Sequence, residues 1–383
     1  MLITVQYCYN IHDIVRIKSD VQLYELEYFA CEEFSDNIAD MVIIVSSNMP
    51  LRGIHLKKKL VGNKSRNSFQ IKYAEHLGHL GAQFTINNDN DDGSSTSLGS
   101  RSIEIRVNKL ISTSRHVLYV NLVEPILRFL LISKGCILLH SACMDMRGQG
   151  HQGIILSAPP DTGKTTTVLK CVRRGFFFLS DDMTIIRLPN EALCFPKPMT
   201  ISAHTFNTAV NIANDGREDS NREGKNRTGL KVRSLVHSKG GRQMMRRLGT
   251  HNVPIFTLNT IGQALIRPPK FKIEDLLQPV KTVERTRVRI LYFLEKGGED
   301  TLILPRETAL EKAVENSDDA FLFPPYKDML NYISIEGRNA AELLAEEKRM
   351  LEAFLSNITC MVIKSDSRSW YSTVMKAIYD TVA

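Results

Sequence analysis

Hydrophobic and polar positions follow two rhythms along this chain, and a third set of apolar runs shows no alternation at all. Short blocks rich in β-branched and aromatic residues, at 1–9, 21–29, 41–46, 102–107 and 116–120, predict strands. At 122–132 the pattern changes: Leu122, Ile126, Leu127, Leu130 and Leu131 recur at helical spacing and predict a core helix. Residues 339–355 carry Leu343, Leu344, Met350, Leu351 and Leu355 toward one side, and 367–382 place Trp370, Val374, Ile378 and Val382 four apart, so both segments predict amphipathic helices. A helix is also expected at 307–315, ending near Asn316, with a brief strand at 361–364. Segments 287–293 and 301–304 read as the two strands of a hairpin across 296–300. The run Ile154-Ile155-Leu156 is apolar throughout, as in a strand buried on both faces of a mainly parallel sheet. After it come a helix-like segment to Arg174, a turn at Gly175 and a second apolar run, Phe176-Phe177-Phe178-Leu179. These elements predict an α/β protein, a mixed sheet with flanking helices, preceded by a strand-rich region. The expected divisions are 1–122, 123–325 and a helical extension at 326–383.

Composition changes this picture in few places. A chain of 383 residues with 43% hydrophobic and 24% charged content is that of a soluble globular protein large enough for two or three domains. The net charge of +7 is concentrated: residues 217–247 hold ten Lys and Arg against Glu218, Asp219 and Glu223, with glycines interspersed. This basic segment, 215–249, reads either as a flexible lid able to bring a cation to a reaction site or as a solvated loop. It contains no aromatic residue for base stacking, which disfavours nucleic acid as a partner. Residues 87–100 are too polar to bury, and they lack the closing Glu of a calcium loop. Cysteines at 8, 31, 136, 143, 171, 194 and 360 show no short paired spacing, arguing against a disulfide framework and a zinc site. No signal-peptide pattern opens the chain, and the apolar stretch 126–132 is short for a membrane span and contains Arg128, so a cytoplasmic protein with no membrane partner is expected.

The chemistry concentrates in 153–182. An apolar strand feeds the loop Ala158-Pro159-Pro160-Asp161-Thr162, the loop delivers Gly163-Lys164-Thr165 to a helix start, and a second apolar run ends in Asp181-Asp182. In such a loop the backbone N–H groups of Asp161, Thr162, Gly163, Lys164, Thr165 and Thr166 can point at phosphate oxygens, aided by the partial positive charge of the helix N-terminus. Lys164 then neutralises the outer phosphates and Thr165 coordinates Mg2+. Ala158 stands where the usual pattern has its first glycine. Gly-Lys-Thr alone is too short to decide anything. Its weight comes from the strand before, the helix after, and two acids seventeen and eighteen positions beyond Lys164, ending a neighbouring strand beside the loop. One carboxylate there can serve the metal and the other can take a proton from an attacking hydroxyl.

The run Leu139-His140-Ser141-Ala142-Cys143-Met144-Asp145, the loop, Arg174-Gly175 and Ser180-Asp181-Asp182 together resemble the catalytic domain of the HPr kinase/phosphorylase family. Phe195-Pro196-Lys197-Pro198-Met199-Thr200-Ile201 and, more weakly, Leu291-Tyr292-Phe293-Leu294-Glu295-Lys296-Gly297 extend the similarity. The resemblance implies a P-loop-containing fold related to phosphoenolpyruvate carboxykinase and phosphoryl transfer from ATP, or another nucleotide, to a hydroxyl, with Mg2+. Carried over by position, Gly163, Lys164 and Thr165 match the nucleotide and metal residues, Asp181 the general base, Asp182 the acid beside it, and His140 a histidine near the phosphates. With Asp181 as base, Thr165 and Asp182 are the expected metal pair. The glycine-containing signature that follows the acids in the true HPr kinases has no counterpart between Thr200 and Gly262. The expectation is therefore an HPr-kinase-like relative whose acceptor is a serine or threonine of a protein or peptide, or a small hydroxyl compound. A nucleotide-binding regulatory protein and an NTP hydrolase stay open beside it. Relatives of this kind often assemble, which makes a homo-oligomer a further expectation.

Overall fold

The computed structural model describes residues 7–34, 38–47, 59–65, 68–88, 102–146, 152–159, 162–200, 254–267, 270–321, 323–366 and 370–382. The basic segment 215–249, the polar stretch beyond Asn88 and Asp161 lie outside the described residues.

The chain forms two compact units, each gathered from three stretches. The first combines Met1–Lys134, Arg242–Arg267 and Phe321–Glu346, and the second Gly135–Gly241, Pro268–Ala320 and Glu347–Ala383. This differs from the division at 122 and 325 expected from the sequence. The core helix before His140 belongs with the strand-rich unit, and the segment after 326 is divided between the two. Composition reports no such returns of the chain, because each returning piece has an ordinary composition of its own.

In the first unit an eight-stranded mixed sheet runs in the order Ala30–Cys31, Tyr7–Ile11, Val15–Ser19, Met41–Val45, Ile103–Val107, Leu80–Asn87, Phe69–Leu77, Lys59–Lys64. The strands expected at 41–46 and 102–107 are neighbours here and run parallel. Two other strand expectations are overturned. Residues 21–29 form a 3-10 helix at Tyr24–Phe29, in which Leu23, Leu26 and Phe29, three apart, bury on one side together with Glu25. Residues 116–120 lie within helical structure, Arg115–Leu118 leading through Tyr119–Val123 into Glu124–Ser133. A short, mostly apolar block cannot be told from buried helix by periodicity, and Val117, Leu118, Tyr119, Leu122 and Val123 are all buried. The stretch Arg115–Ser133 is long and apolar enough to cross a membrane by length and composition, and it is largely buried inside the protein.

The second unit is built on nine strands. The order Phe177–Ser180, Ala142–Asp145, Gly153–Ser157, Arg285–Glu295, Glu191–Leu193, Thr184–Arg187, Cys136–Leu139 is joined by Thr359–Lys364, which pairs with the long strand Arg285–Glu295, and by Asp300–Ile303 at the edge. The molecule is thus mixed α/β with large mixed sheets and flanking helices. Strand Gly153–Ser157 is buried along its whole length, antiparallel to Ala142–Asp145 and parallel to Arg285–Glu295. The expected hairpin is not formed: Thr359–Lys364 inserts between its two strands, parallel to Arg285–Glu295 and antiparallel to Asp300–Ile303. Helix Lys164–Arg173 packs Val168, Leu169 and Val172 into the same core as Trp370, Val374 and Ile378 of helix Trp370–Val382. That core holds the helix carrying Lys164 and Thr165 against the sheet.

Candidate functional site

Two bends and one loop meet at the carboxyl end of strand Gly153–Ser157. The chain leaves that strand at Ala158, a buried core residue, and enters helix Lys164–Arg173 through Gly163, whose φ of 110 lies in the left-handed region that glycine tolerates. Thr162 Oγ1 donates to the Pro159 carbonyl at 2.7 Å, and the Thr167 N–H and hydroxyl both donate to the Gly163 carbonyl at 3.1 Å. These bonds fix the turn from its ends.

The acids arrive by a paired crossing. Strands Ala142–Asp145 and Phe177–Ser180 are antiparallel neighbours, and so are Cys136–Leu139 and Thr184–Arg187. The two connecting bends, His140-Ser141 and Asp181-Asp182, therefore lie side by side, tied by the Ser141 N–H donating to the Asp182 carbonyl at 3.1 Å. Behind them the Ser141 hydroxyl donates to Thr184 Oγ1 at 2.9 Å, and the Ser180 and Thr184 hydroxyls are 2.6 Å apart. Sheet pairing, not sequence proximity, puts His140 beside the acids.

Five ionisable side chains converge there. Thr165 Oγ1 donates to Asp181 Oδ2 at 2.8 Å, while Asp181 Oδ1 is buried with no hydrogen-bond partner among the described residues. The Lys164 ammonium is buried and equally without one, although the charges of Asp182 and Asp181 act on it. Asp182, with its side chain 52% exposed, accepts from Lys197 Nζ at 2.8 Å through Oδ2 and faces His140 Nε2 at 3.6 Å through Oδ1. His140 Nδ1 lies 3.0 Å from the Asn316 carbonyl, which can only accept, so Nδ1 carries the hydrogen. The Asn316 side chain donates to Ser157 Oγ at 3.0 Å, which donates to the His140 carbonyl at 3.3 Å.

Burial and neighbouring charge set the protonation states. Burial raises the Asp181 carboxyl to about 6, against the opposing pull of Lys164 and the Thr165 hydrogen bond. Desolvation pushes Asp182 the same way, but Lys197, His140 and Lys164 outweigh it and hold that carboxyl well below the usual range. Burial, then Lys164, lowers His140 to about 4, so the ring is neutral and Nε2 offers a lone pair. Burial also lowers Lys164, with Asp182 and Asp181 supporting its charge. The site thus pairs one proton-accepting carboxylate, Asp181, with one permanently charged carboxylate, Asp182.

Of the residues expected from the sequence, His140, Lys164, Thr165, Asp181 and Asp182 are brought together. Gly163 and Thr162 shape the turn, Thr166 lies half-buried in the first turn of the helix, and Asp161 is outside the described residues. Thr165 is bonded to Asp181, and both oxygens of Asp182 face Lys197 and His140. Among the described residues no group of three or more His, Cys, Asp and Glu could by itself hold a metal ion. Lys197 and Asn316 were not foreseen as site residues. The only signal for Lys197 was its place in Phe195-Pro196-Lys197-Pro198, where prolines restrict the chain on both sides. No family model matches this chain, and no curated protein matches it.

Proposed function

We propose that this protein is a nucleotide- and Mg2+-dependent phosphotransferase of the HPr-kinase-like type, with a P-loop-containing, phosphoenolpyruvate carboxykinase-like second unit, transferring a phosphoryl group to a hydroxyl acceptor. The observation that carries this reading is the Lys164 ammonium, buried and unpartnered at the start of a glycine-turned helix. A buried ammonium without a hydrogen-bond partner is costly in the free protein, and an anion supplied at the helix N-terminus removes that cost. The second orphan, Asp181 Oδ1, is a buried acceptor that the hydroxyl of an incoming acceptor would satisfy.

The roles divide by geometry. Lys164 and the N–H groups of the first helical turn would bind phosphate oxygens, and the Thr165 hydroxyl, now oriented by Asp181 Oδ2, would help to hold the metal. Bound Mg2+ would neutralise charge on the transferring group. Asp181 takes the acceptor's proton through its uncommitted Oδ1, and a carboxyl raised to about 6 is a better base at neutral pH than an ordinary one while still being ionised. Asp182, held by Lys197, keeps negative charge beside the acceptor without serving as base. The acceptor is a protein or peptide serine or threonine, or a small alcohol.

The test uses the purified protein with labelled ATP and Mg2+, with and without soluble extract of its source, comparing wild type, Lys164→Ala and Asp181→Ala. The expected result is label on a discrete acceptor with wild type, nucleotide binding without transfer for Asp181→Ala, and loss of binding for Lys164→Ala. Retained affinity in Lys164→Ala would sink the reading. Tight binding with no labelled product in any extract points to a regulatory nucleotide binder, and phosphate release without an acceptor to a hydrolase.

A further inference from the structure

Lys164 is flanked by two carboxylates and bonded to neither. Asp182 is one of them, and its charge supports that of Lys164 more than any other group does. Asp182 is paired instead with a second buried lysine. Lys197, 8% exposed, sits on the segment that follows strand Glu191–Leu193, where Phe195 bridges to Ser180 and the Lys197 N–H donates to the Phe195 carbonyl at 2.9 Å. From there Nζ reaches Asp182 Oδ2 at 2.8 Å, while His140 faces Oδ1.

We propose that Lys197 is a positioning residue: by occupying Asp182 it prevents an internal ion pair between Asp182 and Lys164, and so keeps the Lys164 ammonium available to an incoming anion. The inference rests on the nucleotide-binding reading above and assigns part of that site's affinity to a residue outside the loop. Two lysines and two aspartates can pair in more than one way. The arrangement with Lys197 on Asp182 is the one that leaves a cation at the helix N-terminus. Loss of Lys197 leaves a half-exposed carboxylate with one remaining ammonium within its influence, and an Asp182–Lys164 pair then competes directly with phosphate.

Nucleotide affinity is to be measured with ATP and Mg2+ on wild type, Lys197→Met, Lys197→Arg, Asp182→Asn and the double variant Lys197→Met/Asp182→Asn. Lys197→Met should weaken binding by about tenfold, a loss of the size expected when one charged contact is diverted. Lys197→Arg should retain most of the affinity, and adding Asp182→Asn to Lys197→Met should restore it, because no carboxylate remains to capture Lys164. Unchanged affinity in Lys197→Met, or no recovery in the double variant, overturns the proposal. If wild type binds no nucleotide, it is the nucleotide-binding reading that fails. Lys197 is then judged on the ligand-free protein by melting temperature: coupling between Lys164→Met and Asp182→Asn should be small with Lys197 present and larger with Met in its place. Equal coupling in both backgrounds refutes the positioning role.

A separate observation lies in the first unit. Cys8 and Cys31 are directly opposed on the antiparallel strands Tyr7–Ile11 and Ala30–Cys31, and both are free thiols, Cys31 exposed and Cys8 half-buried. Opposed residues on antiparallel strands put their side chains on one face with Cα atoms about 4.5–5.5 Å apart, inside the span a disulfide bridges. The remaining five cysteines are buried. We infer that Cys8 and Cys31 form an oxidative modification site for small disulfides. The Cys31 thiolate attacks one sulfur of a compound such as glutathione disulfide and releases one thiol. The Cys8 thiolate then displaces the second, so two protein thiols become one disulfide and the small disulfide becomes two thiols. Treating the full chain with glutathione disulfide should give a Cys8–Cys31 cross-linked peptide and a mass loss of two hydrogens, both absent in Cys31→Ser. Glutathione adducts without the cross-link would overturn the assignment.

Discussion

A carboxylate sealed from water weakens the fold whenever it is charged, and Asp181 is such a group. Its folded value of about 6 lies above the ordinary 3.8, so its contribution to stability is full below 3.8 and is lost as pH rises through 6. At 1.36 kcal/mol per pKa unit the loss is about 3 kcal/mol. His140 works in the other direction. Its folded value of about 4 lies below the ordinary 6.5, so the unfolded chain takes up the proton first and stability falls by a similar amount, about 3 kcal/mol, as pH drops from 6.5 to 4. In wild type the two effects oppose each other across that window. Asp181→Asn should therefore melt several degrees higher than wild type at pH 7.5, abolish transfer, and lose its advantage as pH falls toward 4. Melting curves of the nucleotide-free protein at pH 4.5, 6 and 7.5 check this, and a pH-independent difference would contradict it. Turnover, in turn, should fall as pH drops below 6 and the base is protonated. At this scale the sequence carried much of the site: Lys164, Thr165 and the two acids announce themselves by type and spacing. It did not carry Lys197 and Asn316, because a lysine among prolines and an asparagine at the expected end of a helix, found within helix Arg306–Ala320, become site residues only through sheet pairing and helix docking.

Elements were legible where periodicity and end signals agreed. The helix expected over 339–355 is found at Ala340–Leu355, and its start is fixed by reciprocal bonds: the Glu342 N–H donates to Asn339 Oδ1 at 3.1 Å and the Asn339 N–H to Glu342 Oε2 at 2.7 Å. Asn339→Ala should cost about 1 kcal/mol and leave nucleotide affinity unchanged, as read from denaturant midpoints and binding titrations. A change in affinity without a change in stability would contradict this local role. The helix at Trp370–Val382 was equally readable, because Trp370, Val374 and Ile378, four apart, pack into the core together with Met375 and Ala377. Misreadings came where tertiary structure chose between equals. The block 116–120 buries Val117, Leu118 and Tyr119 in succession, which a strand between two layers does as readily as a helix, and 21–29 has a threefold rhythm that two buried turns satisfy as well as a strand does. The hairpin failed for another reason. Nothing in a glycine-containing turn reveals that Thr359–Lys364, more than fifty residues later, takes the place beside Arg285–Glu295.

At the scale of the whole molecule, the returns of the chain decide which pieces can exist alone. The strand-rich first unit is completed by helix Ile255–Leu265 and by residues of Phe321–Glu346. Phe256 is fully buried edge-on against the stacked rings of Tyr73 and Phe84, with centroids 5.7 and 6.0 Å away. Thr257 donates its N–H to buried Glu75 at 2.6 Å and its hydroxyl to the Glu75 carbonyl at 2.7 Å. On the other side, buried Arg128 donates to Tyr326 at 3.3 Å and lies under Phe321 at 4.6 Å, while Asn121 and Asn88 donate to the carbonyls of Pro324 and Ser334. A chain ending at Lys134 would keep all eight strands yet expose two aromatic surfaces and strip partners from Glu75 and Arg128, which is costlier than losing apolar area alone. Residues 1–134 expressed alone should therefore give no cooperative thermal transition and should bind a hydrophobic dye. Within the full chain, Phe256→Ala should destabilise by about 3–5 kcal/mol, with the loss seen in hydrogen exchange of strands Phe69–Leu77 and Leu80–Asn87. A cooperative melt of the isolated 1–134 piece would show that the strand-rich region is an independent domain after all, and that the later segments only cover it.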